Sequence, residues 1–212
     1  MPGKIFPHEV SNKKLFSFLR RPKPFKENEL FRGVPAWSDK NACVGDNGGP
    51  YNLYDYADAY FDATRGLLEI ALEAPNLERP WVTIDLLVYP ICMNFRHAVE
   101  LFLKHLITAL ARRNGSNDKY RTNHSLEDNW KTTFKLLQAA KLQATYEEIE
   151  IFAKVVKSIQ EVDPKGEIFR YPESMKGDQH LKDWRLINLR LLDHYREKID
   201  QAAYRWKQLI EA

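Results

Sequence analysis

With 212 residues, 44% of them hydrophobic, the chain can bury a core of its own, and a formal charge of +3 permits a nucleic-acid partner without demanding one. Its two cysteines, Cys43 and Cys92, lie far apart with no CxxC spacing, which argues against a disulfide framework or a zinc knuckle and suits a reducing compartment. The first residues lack the apolar stretch of a secretion signal, and no uninterrupted apolar run looks long enough for a bilayer, so the expected location is the cytoplasm, away from membranes.

Residues 1–53 read as an extended N-terminal arm. Six prolines (Pro2, Pro7, Pro22, Pro24, Pro35 and Pro50) and the turn-rich GDNGGP leave room for one short helix, over Lys13 to Arg20. Leu15, Phe16, Phe18, Leu19, Phe31 and Trp37 make the arm too apolar for a purely disordered tail, so it should lie along the body or along a partner protein.

From Tyr54 onward the apolar residues recur at helical spacing. Ala57, Phe61, Leu68 and Ala71 mark a first helix that ends before Pro75. Trp81 to Arg113 forms a second, with Ile84, Ile91, Phe95, Ala98 and Phe102 on one face, which Pro90 should kink or split. Ser125 caps a third, running to about Ala140, with Leu126, Trp130, Phe134 and Leu137 inward. A fourth covers about Thr145 to Val162 and buries Ile149, Phe152, Val156 and Ile159, and a fifth runs from about His180 to Ala212 with Trp184, Leu191, Tyr195, Ile199 and Trp206 inward. No stretch alternates with period two, so the fold class is all-α: an antiparallel four- to five-helix bundle over residues 54–212.

Three features carry candidate chemistry. The second helix is apolar almost all round, yet Arg96, Glu100 and Lys104 form an i, i+4, i+8 stripe along it, with His97 beside them. Buried charges need partners, so the stripe either pairs internally as a structural device or lines a cleft or dimer seam that holds an anion. A basic turn from Arg112 and Arg113 through Lys119, Tyr120 and Arg121 to His124 directly precedes a capped helix, an arrangement that serves either as a phosphate site or as a solvated loop. Third, Arg170 stands between Phe169 and Tyr171 in a polar loop, where it can reach a carboxylate such as Glu100 or simply plug the bundle end. The scattered histidines give no metal-ligand spacing, and no phosphate loop, HExxH, GxSxG or Rossmann glycine pattern occurs, so neither a metal nor a cofactor is expected.

The stretches NFRHAVELFLKHLI (Asn94 to Ile107), NHSLEDNW (Asn123 to Trp130) and IFRYP (Ile168 to Pro172) together resemble proteins of the HEPN superfamily. The resemblance covers roughly Asp55 to the C-terminus. It implies a helical bundle that dimerises and often acts as a metal-independent ribonuclease in bacterial toxin–antitoxin, anti-phage and CRISPR-linked systems. The chain departs from the nuclease members in one respect: it has no arginine and histidine separated by four to six residues. Arg190 with His194, Arg121 with His124, and Arg96 with His105 all miss that spacing.

Cleavage of RNA would proceed by attack of a ribose 2′-hydroxyl on the adjacent phosphate. That assigns His124 as proton carrier, Arg121 and Arg96 as groups stabilising charge on phosphorus, and Glu100, Lys104, Arg170 and Tyr171 as substrate contacts. Two rivals stand beside this reading: a non-catalytic helical interaction module, and a nucleotide-binding subunit using the buried polar groups. A nuclease should bring Arg96, His124 and Arg170 together in one open cleft or across a two-fold seam, whereas a module should show them mutually paired and shut off from solvent.

Overall fold

The computed structural model describes residues 28–45, 49–73 and 84–211. The chain divides into two units, Met1–Val44 and Gly45–Ala212. In the first, Asn28 accepts hydrogen bonds from the backbone N–H groups of Leu30 and Phe31, and Pro35–Lys40 forms a 3-10 helix. Asn41 clasps that helix by exchanging hydrogen bonds with both backbone groups of Val34. The 3-10 helix at Pro35–Lys40, where proline presets the first helical φ, is not expected from the sequence; the short helix expected over Lys13 to Arg20 lies outside the described residues.

The second unit is a bundle of five helices: α1 (Leu53–Leu72), α2 (Ile84–Arg113), α3 (Leu126–Ala140), α4 (Tyr146–Val162) and α5 (Leu189–Glu211). Among the described residues there is no strand, only an isolated antiparallel bridge between Glu173 and Gln179. Side-chain caps set the helix starts. Asn52 and Asp55 form a capping box on α1, Thr145 and Glu148 another on α4, and Ser125 Oγ accepts from the N–H of Asp128 on α3.

Helix α2 runs through the centre. Val99, Phe102, Leu103, Leu106, Ile107 and Leu110 are all fully buried, so its all-round apolar character reflects contact with neighbours on every side. By length and composition alone α2 could cross a bilayer, which amends the expectation that no such run exists; in the bundle more than half of its most apolar stretch is buried by protein. It continues unbroken through Pro90 rather than splitting there. The carbonyl that proline leaves without a donor belongs to Leu86, an exposed residue, where water can satisfy it.

The helices meet at an aromatic stack. Phe152 of α4 lies 4.6 Å from Trp206 of α5, 5.7 Å from Phe102 of α2 and 5.8 Å from Trp130 of α3, centroid to centroid. Burying each such ring contributes about 1.5–3 kcal/mol, so this junction holds four helices together. Cys92, nearer the start of α2, is buried; burial, helped by the charge of Asp163, pushes its thiol up to about 12, which makes it an inert core residue.

Two expectations about side-chain placement fail. Phe134 is exposed, and Asn129, Thr133 and Leu136 take the buried side of α3. The last helix starts at Leu189 instead of His180 because Leu181 sits in the left-handed region (φ 57°) and Asn188 then caps the new start, its Oδ1 accepting from the N–H of Leu191. Trp184 and Leu191 are consequently exposed.

Candidate functional site

The charged stripe of α2 ends in one closed network. Arg96 is 3% exposed and each of its three guanidinium nitrogens donates a hydrogen bond: Nη1 to Glu100 Oε2 (2.8 Å), Nη2 to the backbone carbonyl of His124 (2.9 Å), and Nε to the carbonyl of Asp163 (3.0 Å). The carboxylate of Asp163 also lies 3.5 Å from Nε. Asp163 terminates α4, and its Oδ1 accepts from the N–H groups of Glu167 and Ile168, which folds the following turn over Arg96. At the tip of that turn Gly166 has φ 78°, and a Cβ there would lie 2.8 Å from Arg96 Nη1. The position requires glycine for both reasons.

Glu100 is 1% exposed and accepts three hydrogen bonds: from Arg96, from Lys104 Nζ at 2.7 Å, and from His124 Nδ1 at 2.8 Å. Burial by itself would raise its pKa, but the hydrogen bond and charge of Lys104, with the hydrogen bonds of His124 and Arg96, more than offset this and hold it at about 2. Glu100 is therefore an anion at neutral pH, and an anion can only accept, so Nδ1 of His124 carries the proton. Its other ring nitrogen, Nε2, has no partner among the described residues, and the side chain is 53% exposed. The residue itself sits at φ 63°, outside the usual range for a side-chain-bearing residue, pinned by the Arg96 bond to its carbonyl.

Several sequence expectations change here. Arg96, Glu100 and Lys104 do come together with His124, but as an interior network: Arg96 is buried with each of its nitrogens already donating within the protein, and Glu100 is sealed from solvent. Arg170 does not reach Glu100, whose place it would share with Arg96; it is exposed, beside Tyr171 and Tyr89 at the rim of a separate cavity. Arg121 is exposed, and its backbone is clasped by Asn129, which accepts from its N–H at 2.7 Å. The start of α3 is not an open anion site. Gln160 Oε1 accepts from the N–H groups of Leu126 and Glu127, and Ser125 from that of Asp128. Arg113, read as part of the basic turn, instead caps the carbonyls of Leu209 and Ile210.

Two contributors escaped sequence reading. Asp163 and Gly166 lie in the turn DPKGE, where an Asp followed three residues later by Gly signals a tight turn without indicating what it closes upon. His97 faces away from the network, edge-on to Tyr60 at 4.5 Å, and its buried Nδ1 has no hydrogen-bond partner among the described residues. Burial, joined by the nearby Arg170, Lys104 and Arg96, lowers its pKa against the opposing pull of Glu100. Among the described residues no group of three or more His, Cys, Asp or Glu is placed to hold a metal.

Comparisons of the chain with protein families, with curated proteins and with solved structures find no match.

Proposed function

We propose that the bundle is a metal-independent endoribonuclease of the HEPN-like kind, with His124 as its proton-transfer group. The observation that carries this reading is the His124 ring, half-exposed and gripped at Nδ1 by a buried, ionised carboxylate. The grip fixes the tautomer with its lone pair on Nε2 and stabilises the imidazolium that forms when Nε2 takes a proton, the role an orienting acid plays for a catalytic histidine.

In the reaction, Nε2 removes the proton of a ribose 2′-hydroxyl as its oxygen bonds to the adjacent phosphorus and the bond from phosphorus to the 5′-oxygen breaks. A 2′,3′-cyclic phosphate is left. Water protonates the leaving 5′-oxygen, and the imidazolium discharges its proton to the hydroxide so formed. Arg121, exposed three residues before His124, is the cation that meets the developing phosphorane charge, while Arg96, Glu100 and Lys104 are positioning residues. The setting in keeping with this chemistry is a cytoplasmic effector of a toxin–antitoxin or anti-phage system, acting as a homodimer.

The test is cleavage of cellular RNA and growth arrest on induced expression. His124→Ala should lower the cleavage rate by about 10²–10⁴-fold with the fold intact, and Arg121→Ala by less. Unchanged cleavage by the alanine variant overturns the assignment. A second reading, a non-catalytic interaction module, is favoured by the burial and pairing of Arg96, and it requires that no cleavage occurs with either protein.

A further inference from the structure

A different part of the bundle presents a cavity of about 580 Å³ between the start of α2 and the segment that follows α4, within the range of small-ligand sites. Tyr89 of α2 and Tyr171 supply two aromatic walls, 41% and 59% exposed. Arg170 supplies a cation and His180 a ring nitrogen, and Glu173 with Gln179 supplies an edge of donors and acceptors.

The walls are preformed. Glu167 accepts from the N–H groups of both Arg170 and Tyr171, the N–H of His180 donates to the carbonyl of Pro172 at 2.9 Å, and Ser174 and Asp178 close a tight turn around Gly177 (φ 82°). The Glu173–Gln179 bridge ties the two arms of this loop together. His180 Nδ1 lies 2.9 Å from the carbonyl of Tyr171. A carbonyl only accepts, so Nδ1 carries hydrogen and the ring is held with Nε2 free. Arg170 has no ion-pair partner among the described residues, although other arginines of the bundle, Arg96, Arg196 and Arg205 among them, are paired.

Aromatic faces, a polar edge and an uncompensated cation in one rigid cavity match one ligand chemistry: a planar heteroaromatic base joined to a phosphate. We infer that this cavity binds a single nucleotide unit, its base stacked on Tyr171 or Tyr89 and read by Gln179 and Glu173, its phosphate held by Arg170. Stacking on aromatic rings tolerates any base, and a guanidinium grips phosphate through paired donors. The inference rests on this cavity alone and is independent of the role given to His124.

Calorimetric titration of the full chain with AMP, adenosine, inorganic phosphate and a 5′-phosphorylated 2′-O-methyl RNA hexamer tests it, since the hexamer cannot be cleaved through a 2′-hydroxyl. AMP should bind more tightly than adenosine or phosphate, Tyr171→Ala and Arg170→Gln should each weaken it about fivefold or more, and Tyr171→Phe should stay close to wild type. Tyr146→Ala, which removes an exposed tyrosine on α4, should leave the affinity unchanged. A hexamer that binds well beyond AMP identifies the end of an RNA strand as the source of the nucleotide, and equal binding identifies a free nucleotide. Absence of binding by both AMP and hexamer, an affinity indifferent to the Tyr171 and Arg170 variants, or phosphate binding as tightly as AMP overturns the inference.

Discussion

The network around Arg96 and the cavity beside Arg170 use the same residue types in opposite ways. In the first, one arginine, one carboxylate, a lysine and a histidine satisfy one another so fully that little is left for a ligand. In the second, the loop carrying an arginine, a histidine and a tyrosine is held by backbone hydrogen bonds and by one nitrogen of the His180 ring, while Arg170 has no ion-pair partner among the described residues. Buried charge must be compensated inside the protein, so it becomes architecture; charge on a rigid rim can wait for a partner. His124 stands at the boundary, with one ring nitrogen in each regime.

Variants that break this contrast should sort by region. The largest effect is expected from Glu100→Gln, which leaves Arg96 and Lys104 without their main anion. Because Asp163 remains near Arg96 Nε, the loss should be about 3 kcal/mol, read by urea denaturation, at the lower end for a broken buried pair. Gly166→Ala should come next, at roughly 1–2 kcal/mol, since it forces a side chain into a left-handed position against Arg96. A milder loss for Gly166→Ala than for Tyr171→Ala would invert the comparison.

Acid should act on the network too. Glu100 has a folded-state pKa of about 2 against an ordinary 4.5, so its contribution is complete above pH 4.5 and lost as pH falls toward 2; thermal melts of wild type should show this component and those of Glu100→Gln should lack it. His97 and His105 are depressed below their ordinary 6.5 by burial, so the unfolded chain takes up protons first and stability declines as pH drops below 6.5. The double variant His97→Gln, His105→Gln should flatten that part of the curve. Smallest of all, Tyr171→Ala and Arg170→Gln should shift stability by no more than about 0.5 kcal/mol, as exposed positions do, and register only in ligand binding.

The sequence exposes the bundle because helical periodicity and caps are local signals: Asn52, Ser125 and Thr145 each announce a helix one residue ahead. It misplaces the start of α5 because residues 180–188 carry apolar side chains at helical spacing, and the left-handed backbone of Leu181 has no mark in residue type. At the site, the i, i+4 pairing of Arg96, Glu100 and Lys104 could be read from spacing alone, as could the nearness of His124 to a helix start. What could not be read is closure. Asp163 meets Arg96 from 67 residues away and Gln160 meets the first turn of α3 from 34, contacts that only the tertiary fold creates.

Those long spans bear on how the molecule assembles in time. Arg96 joins α2 to a turn 28 residues downstream and to another 67 residues downstream, so its three acceptors are united only after both intervening loops have closed. The guanidinium is thus a latch set late, after the helices and their aromatic stack are in place. Loosening it should chiefly quicken unfolding and leave the refolding rate almost untouched, so that Arg96 governs how long the native bundle lasts more than how fast it forms.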